Sequence, residues 1–152
     1  MSNRDLADFN QFLYQSIPLV RFMQLQLISC NDNKLIARAP AQPNLNDKQT
    51  IFGGSSSALM TVCGWSLIKF NLEQRQFSND VVIANAQTRW RSAQKDELLI
   101  TAEADISWPA ISEKLNQKQK TKINVHTKVD SAYHKRCTVM TADFVILNNP
   151  SG

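Results

Sequence analysis

The sequence predicts an α+β fold: an antiparallel, curved β-sheet wrapped around a long central α-helix, with a short helix near the N-terminus. Three observations predict it. Residues 55–72 contain no proline, and Ala58, Leu59, Met60, Val62, Cys63, Trp65, Leu67, Ile68, Phe70 and Leu72 cover every side of a helical wheel. A surface helix keeps one face polar, so this one must be surrounded. The segments that follow alternate apolar and polar residues with a period of two, the pattern of half-buried antiparallel strands with one wet face. A chain of 152 residues suits one domain with one core, so sheet and helix must cover each other.

In chain order, Leu6, Phe9, Phe12 and Leu13 recur at helical spacing over residues 4–15, and Pro18 lies just beyond the end. Met23, Leu25 and Leu27 alternate with glutamines as a strand. Asn31, Asp32 and Asn33 supply turn chemistry, and Leu35, Ala37 and Ala39 continue on one face, which makes a hairpin ended by Pro40 and Pro43. The long helix follows, with serines 55–57 able to cap its first turn.

After it the pattern reads as strands only. Val82, Ala84, Ala86, Thr88 and Trp90 share one face, and Asn85, Gln87, Arg89 and Arg91 the other. Leu98 to Ile106, Ile123 to Val129 and Met140 to Ile146 supply three more alternating runs. The charged stretch LNQKQKTK, residues 115–122, reads as a loop or hairpin tip.

Composition sets limits on function. No apolar run reaches the ~20 residues a membrane span needs. The N-terminal residues lack a basic stretch followed by an apolar one, so a cytoplasmic chain is expected. Cys30, Cys63 and Cys137 are far apart and form no CxxC pair, so neither a zinc site nor a disulfide framework is suggested. His126 and His134 lack metal-ligand spacing, and neither a metal nor a cofactor is expected. The net charge of +4 favours anionic partners without choosing among them. Nucleic acid is not expected, because no helix is a cationic stripe and no sheet face mixes exposed aromatics with lysines.

The element order, with Gly53 and Gly54 opening the buried helix, resembles the hotdog fold. The words PNLNDKQTIFGGS and GWSLIKF are similar to those of the thioesterase-like domain known from the C-terminal half of YiiD proteins, and the resemblance runs over residues 19–147. The acetyltransferase domain that YiiD proteins carry ahead of it is not expected here, leaving one hotdog domain over residues 1–152. The resemblance implies a thioester hydrolase acting on acyl-CoA or an acyl-carrier thioester. It also implies a homodimer or a dimer of dimers, with sites built between chains.

The residues fit that chemistry in part. Hydrolysis needs a polarised carbonyl, an activated water and held substrate arms. The first N–H groups of a helix lack intrahelical partners and carry the positive end of its dipole, so Gly53 and Gly54 can keep the helix mouth bare for a thioester oxygen. The resemblance gives the donor role to Gly53, and to Asn46 the holding of the attacking water.

The sequence also departs from the resembled pattern. Phe52 stands where relatives carry His, and Thr61 where they carry Asp or Glu seven residues after the second glycine. Asp47 is then the nearest carboxylate and the candidate base. Phe52, Ser57, Thr61, Arg89 and Arg91 are candidates for substrate contact, the arginines for phosphate groups; Lys95, Lys118, Lys120 and Lys122 are further cations. Because Thr61 cannot serve as a base, a hotdog dimer that binds acyl-CoA or fatty acid without turnover is the alternative.

Overall fold

The computed structural model describes residues 4–150, with side chains through residue 148. Its elements are α1 (Leu6–Ser16), α2 (Pro18–Met23), β1 (Gln26–Cys30), β2 (Lys34–Ala39), a 3₁₀ turn (Gln42–Asn44), α3 (Gly53–Gln74), β3 (Asn79–Trp90), β4 (Leu98–Glu103), α4 (Trp108–Asn116), β5 (Thr121–Asp130) and β6 (Thr138–Pro150). The six strands form one sheet in the order β1-β2-β4-β5-β6-β3, with every neighbouring pair antiparallel.

Helix α3 is the axis of the core. Leu59, Met60, Cys63, Leu67, Ile68 and Leu72 are fully buried. They meet the inward side chains of β2, β4, β5 and β6, among them Leu35, Ile100, Val125 and Phe144. Removing this apolar surface from water contributes ~25 cal/mol per Å². Gly64 allows the closest approach, since a Cβ there would lie 2.8 Å from the Phe144 ring. The alternation expected for β2, β4, β5 and β6 matches their buried faces, and the long helix lies where its all-round apolar pattern puts it.

Four local readings need correction. Residues 18–23 form a helix, not the start of a strand, with Pro18 at the first helical position and Gln24 closing it in the left-handed region at φ 58°. The strand then begins at Gln26. The region after α3 is not all strand. Ser107 caps α4, which buries Trp108, Ile111 and Leu115, so residues 115 and 116 end a helix rather than tip a hairpin.

The serines do not cap α3. Phe52 is its N-cap, without a side-chain bond, and Ser57 instead donates to the Gly54 carbonyl from inside the helix. Finally, a bulge between Ile83 and Asn85 shifts the register of β3 against β6. Val81 and Ile83 pair with the inward Ile146 and Phe144, whereas Val82 pairs with Val145 on the outer face. Beyond the bulge Ala86, Thr88 and Trp90 share the face of Ala142, Met140 and Thr138, but Ala86 and Trp90 are exposed and Thr88 half-buried, so the covered face that the alternation predicts is not formed along this strand.

Among the described residues, no helix is long and apolar enough to cross a membrane.

Candidate active site at the mouth of the central helix

The first bond inside α3 that reaches four residues back is from Ser56 N–H to the Phe52 carbonyl. The N–H groups of Gly53 and Gly54 precede it, so neither has an intrahelical acceptor. With no capping side chain, this end of a 22-residue helix keeps its positive dipole end open. Two aromatic rings bracket it. The Trp90 indole N–H donates to the Gly53 carbonyl at 3.0 Å, and a Cβ on Gly53 would lie 2.9 Å from that nitrogen. The Phe52 ring folds over Gly54, where a Cβ would lie 2.5 Å from it. At each glycine a ring lies where a Cβ would be, so a side chain there would displace Trp90 or Phe52, and the pair lets both rings close around a bare helix end.

Beside Gly53 lies a cavity of about 340 Å³, lined by Ile51, Gly53, Ser56, Trp90, Ser92, Gln94 and neighbours that include Arg91. Its walls are the first turn of α3, the end of β3 with the loop behind it, and Thr138 at the start of β6. Gln94 fixes that loop. Its carbonyl accepts from Ile51 N–H at 2.7 Å, and its Nε2 faces the carbonyls of Glu97 at 2.9 Å, Asp130 at 3.3 Å and Asp96 at 3.4 Å.

Of the residues singled out in the sequence, Gly53 and Arg91 share this cavity. Asn46 does not line it; its side chain closes its own turn. Asn46 Oδ1 accepts from the N–H groups of Lys48 at 2.9 Å and Thr50 at 3.1 Å, and Nδ2 donates to Thr50 Oγ1 at 2.9 Å. This is Asx-turn chemistry. Asp47 stands out from the tip of that turn, with a side chain 81% exposed and 3.2 Å from Lys48 Nζ. Thr61 Oγ1 donates to the Ser57 carbonyl at 2.8 Å and lies half-buried beside Met140. Arg89 projects from the outer face of β3 opposite Val139.

The register also sorts the lysines. Trp90 pairs with Thr138, and Thr138 with Val129, at the mouth end of the sheet, whereas Val81, Ile146 and Thr121 meet at the other end. At ~3.3 Å per residue, Lys118, Lys120 and Lys122 lie roughly 30 Å from the mouth. Lys95, in the loop after β3, stays near it.

Three wall residues escaped the sequence reading: Trp90, Ser56 and Gln94. Trp90 carried a faint signal, a bulky indole at the end of a strand otherwise lined by Ala and Thr. Gln94 carried none, because its role depends on three carbonyls distant in sequence or hidden in a loop. Elsewhere the cysteines are free; burial pushes the half-buried Cys30 thiol up to about 12 and raises that of buried Cys63 as well. Among the described residues no group of His, Cys, Asp or Glu could hold a metal ion.

A curved antiparallel sheet around one long helix, whose N-terminus opens on a crevice, is the hotdog fold. Its solved neighbours share it across nearly the whole chain. A putative thioesterase from Shewanella oneidensis superposes with a TM-score of 0.84 at 23% identity, covering 93% of this chain and 96% of that one. A protein of unknown function from Chlorobaculum tepidum TLS gives 0.84 at 21% identity, covering 94% of each. A thioesterase from Haemophilus influenzae gives 0.77 at 15% identity, covering 97% and 93%. At these identities the likeness is one of fold. The chain itself belongs to the YiiD C-terminal family, described as putative thioesterases, whose model matches residues 6–148.

Proposed function

We propose that the protein hydrolyses an acyl-CoA or acyl-carrier thioester at the mouth of α3. The observation that carries this reading is the uncapped helix end, with Gly53 beside a cavity of mixed polar and apolar lining in a member of this family. The thioester oxygen rests against Gly53 N–H, with Gly54 N–H adjacent, and charge developing there is stabilised by the helix dipole. The Asn46–Asp47 loop activates the water, Asn46 by holding the turn and Asp47 by offering the carboxylate. Phe52, Ser57 and Thr61 contact the substrate along the helix, and Arg89 and Arg91 receive phosphate groups.

The reading includes a homodimer, or a dimer of dimers, in which a second copy completes the crevice. It is supported by β3, an end strand of 12 residues with Val82 and Ile83 about 40% exposed, the kind of edge that pairs with another chain. Hydrolysis in the cytoplasm is part of the same proposal.

One observation favours a second reading, a dimer that binds acyl-CoA or fatty acid without cleaving it. Among the described residues no carboxylate lines the cavity at Gly53. A panel of acyl-CoA thioesters read by free-thiol release separates the two. Hydrolysis that falls in Asp47→Ala supports the enzyme and its base. Thermal stabilisation by acyl-CoA without thiol release supports binding alone.

A further inference from the structure

Two polar side chains in the cavity wall have hydrogen-bonding capacity that the fold does not use. Ser56 is 3% exposed and lies on the first turn of α3, three residues after Gly53. Among the described residues its hydroxyl has no partner, in contrast to Ser57 and Thr61, whose hydroxyls donate to helix carbonyls. Gln94 is 5% exposed. Its Nε2 is committed to backbone carbonyls, which sets the orientation of the amide, and its Oε1 has no partner among the described residues. Both side chains line the cavity, so this spare hydrogen-bonding capacity is open to a water or ligand there.

We infer that Ser56 and Gln94 hold the attacking water beside Gly53. A bound water needs two to four polar partners. The Gln94 Oε1 can accept one of its hydrogens, and the Ser56 hydroxyl can donate to it or accept from it. Asn46 has both ends of its amide engaged in its own turn, so a second pair of groups for this task has a clear place in the site.

The inference rests on the thioesterase reading and completes its chemistry. The water oxygen bonds to the carbonyl carbon while the carbonyl oxygen takes negative charge against Gly53 N–H. The proton leaving the water passes through solvent water at the cavity mouth to the Asp47 carboxylate of that reading, since among the described residues no carboxylate lines the cavity itself. The tetrahedral intermediate then collapses, the C–S bond breaks with its electron pair on sulfur, and the proton passes to the thiolate. Carboxylic acid and free thiol result.

Ser56→Ala tests this with little risk to folding, because alanine favours a helix and the hydroxyl holds no protein group. The full chain and the variant are assayed by free-thiol release across the acyl-CoA panel, by thermal melting, and by calorimetric binding of a non-hydrolysable thioether analogue of the best substrate. The expected result is a fall in kcat of roughly tenfold to a hundredfold, with the melting temperature, KM and analogue affinity unchanged. A merely structural serine would move the melt or the affinity. Gln94→Met removes the acceptor together with the donor that fixes the loop, so it should lower kcat and the melting temperature together, whereas Ser56→Ala lowers kcat alone. Full kcat in Ser56→Ala overturns the inference and leaves the thioesterase reading standing. No thiol release by the parent chain overturns both.

Discussion

The two ends of the sheet are finished in opposite ways. At the β1 end, the strand is short, carries a bulge, and is paired along its open side by side chains of α1. Asn10 Oδ1 accepts from Leu27 N–H at 2.9 Å and its Nδ2 donates to the Leu27 carbonyl at 3.1 Å, as a neighbouring strand would. Tyr14 donates to the Leu25 carbonyl at 2.7 Å. At the β3 end, among the described residues, α3 fastens the start of the strand from within, Trp65 Nε1 donating to the Val81 carbonyl at 2.8 Å and Lys69 Nζ to the Asn79 carbonyl at 2.7 Å, while the run from Val82 to Trp90 is exposed along most of its length. One edge is closed against other chains, while the other is long, apolar and adjoins the helix mouth through Trp90. In the proposed dimer, the open edge lies beside the candidate site.

The largest effect should come from charging the open edge. Ile83 is 40% exposed, so Ile83→Lys can reach water in a single chain but would be trapped between two paired edges. We expect dimer dissociation to strengthen by roughly a hundredfold, about 3 kcal/mol. Light scattering over a dilution series checks this; an unchanged dimer would place the interface elsewhere. The closed edge should respond in stability instead. Asn10→Ala leaves the Leu27 N–H and carbonyl without their partner and should cost about 1–3 kcal/mol in denaturant unfolding, with assembly unaltered.

The smallest effect concerns the inner fastening of β3. Burial lowers the pKa of Lys69 below its ordinary 10.5, with Glu73 and Asp80 opposing the shift and Arg4 adding to it. The unfolded chain therefore binds this proton more tightly than the folded one. The cost is fully present below the folded value and is relieved as pH rises toward 10.5. Stability of the parent chain, measured against Lys69→Met, should rise over that window. A flat difference would contradict the lowered pKa, and a falling one would show that the fold favours the ammonium form.

These features were unequally legible in the sequence. The all-round apolar pattern of α3 and the alternation of β2, β4, β5 and β6 are properties of long runs, and the structure follows them. Helix α2 has six residues, too few for a helical period to show, and Pro18 serves equally to stop one helix or start another. Helix α4 did leave a trace, in Ser107 ahead of Pro109 and the spacing of Trp108, Ile111 and Leu115, but it follows directly on an alternating run that reads through to Ile106. The bulge in β3 inverts the faces of Val82 and its neighbours, and a bulge has no period. At the site, the glycine pair announced the helix mouth. What the glycines admit, the rings of Phe52 and Trp90, and what the cavity wall offers, Ser56 and Gln94, arise from tertiary placement that local pattern does not encode.

The central claim is that the bare end of α3 receives a thioester carbonyl, and Gly53→Ala tests it most directly. Its Cβ would meet the Trp90 indole at 2.9 Å and narrow the mouth where the oxygen must sit. Free-thiol release from the best acyl-CoA substrate should fall by ~10²-fold in kcat, the scale of a reacting group displaced by about 1 Å, because alanine keeps the N–H while its methyl crowds the oxygen away from it, in a chain that still melts cooperatively. Hydrolysis at the parent rate in that variant would contradict the account.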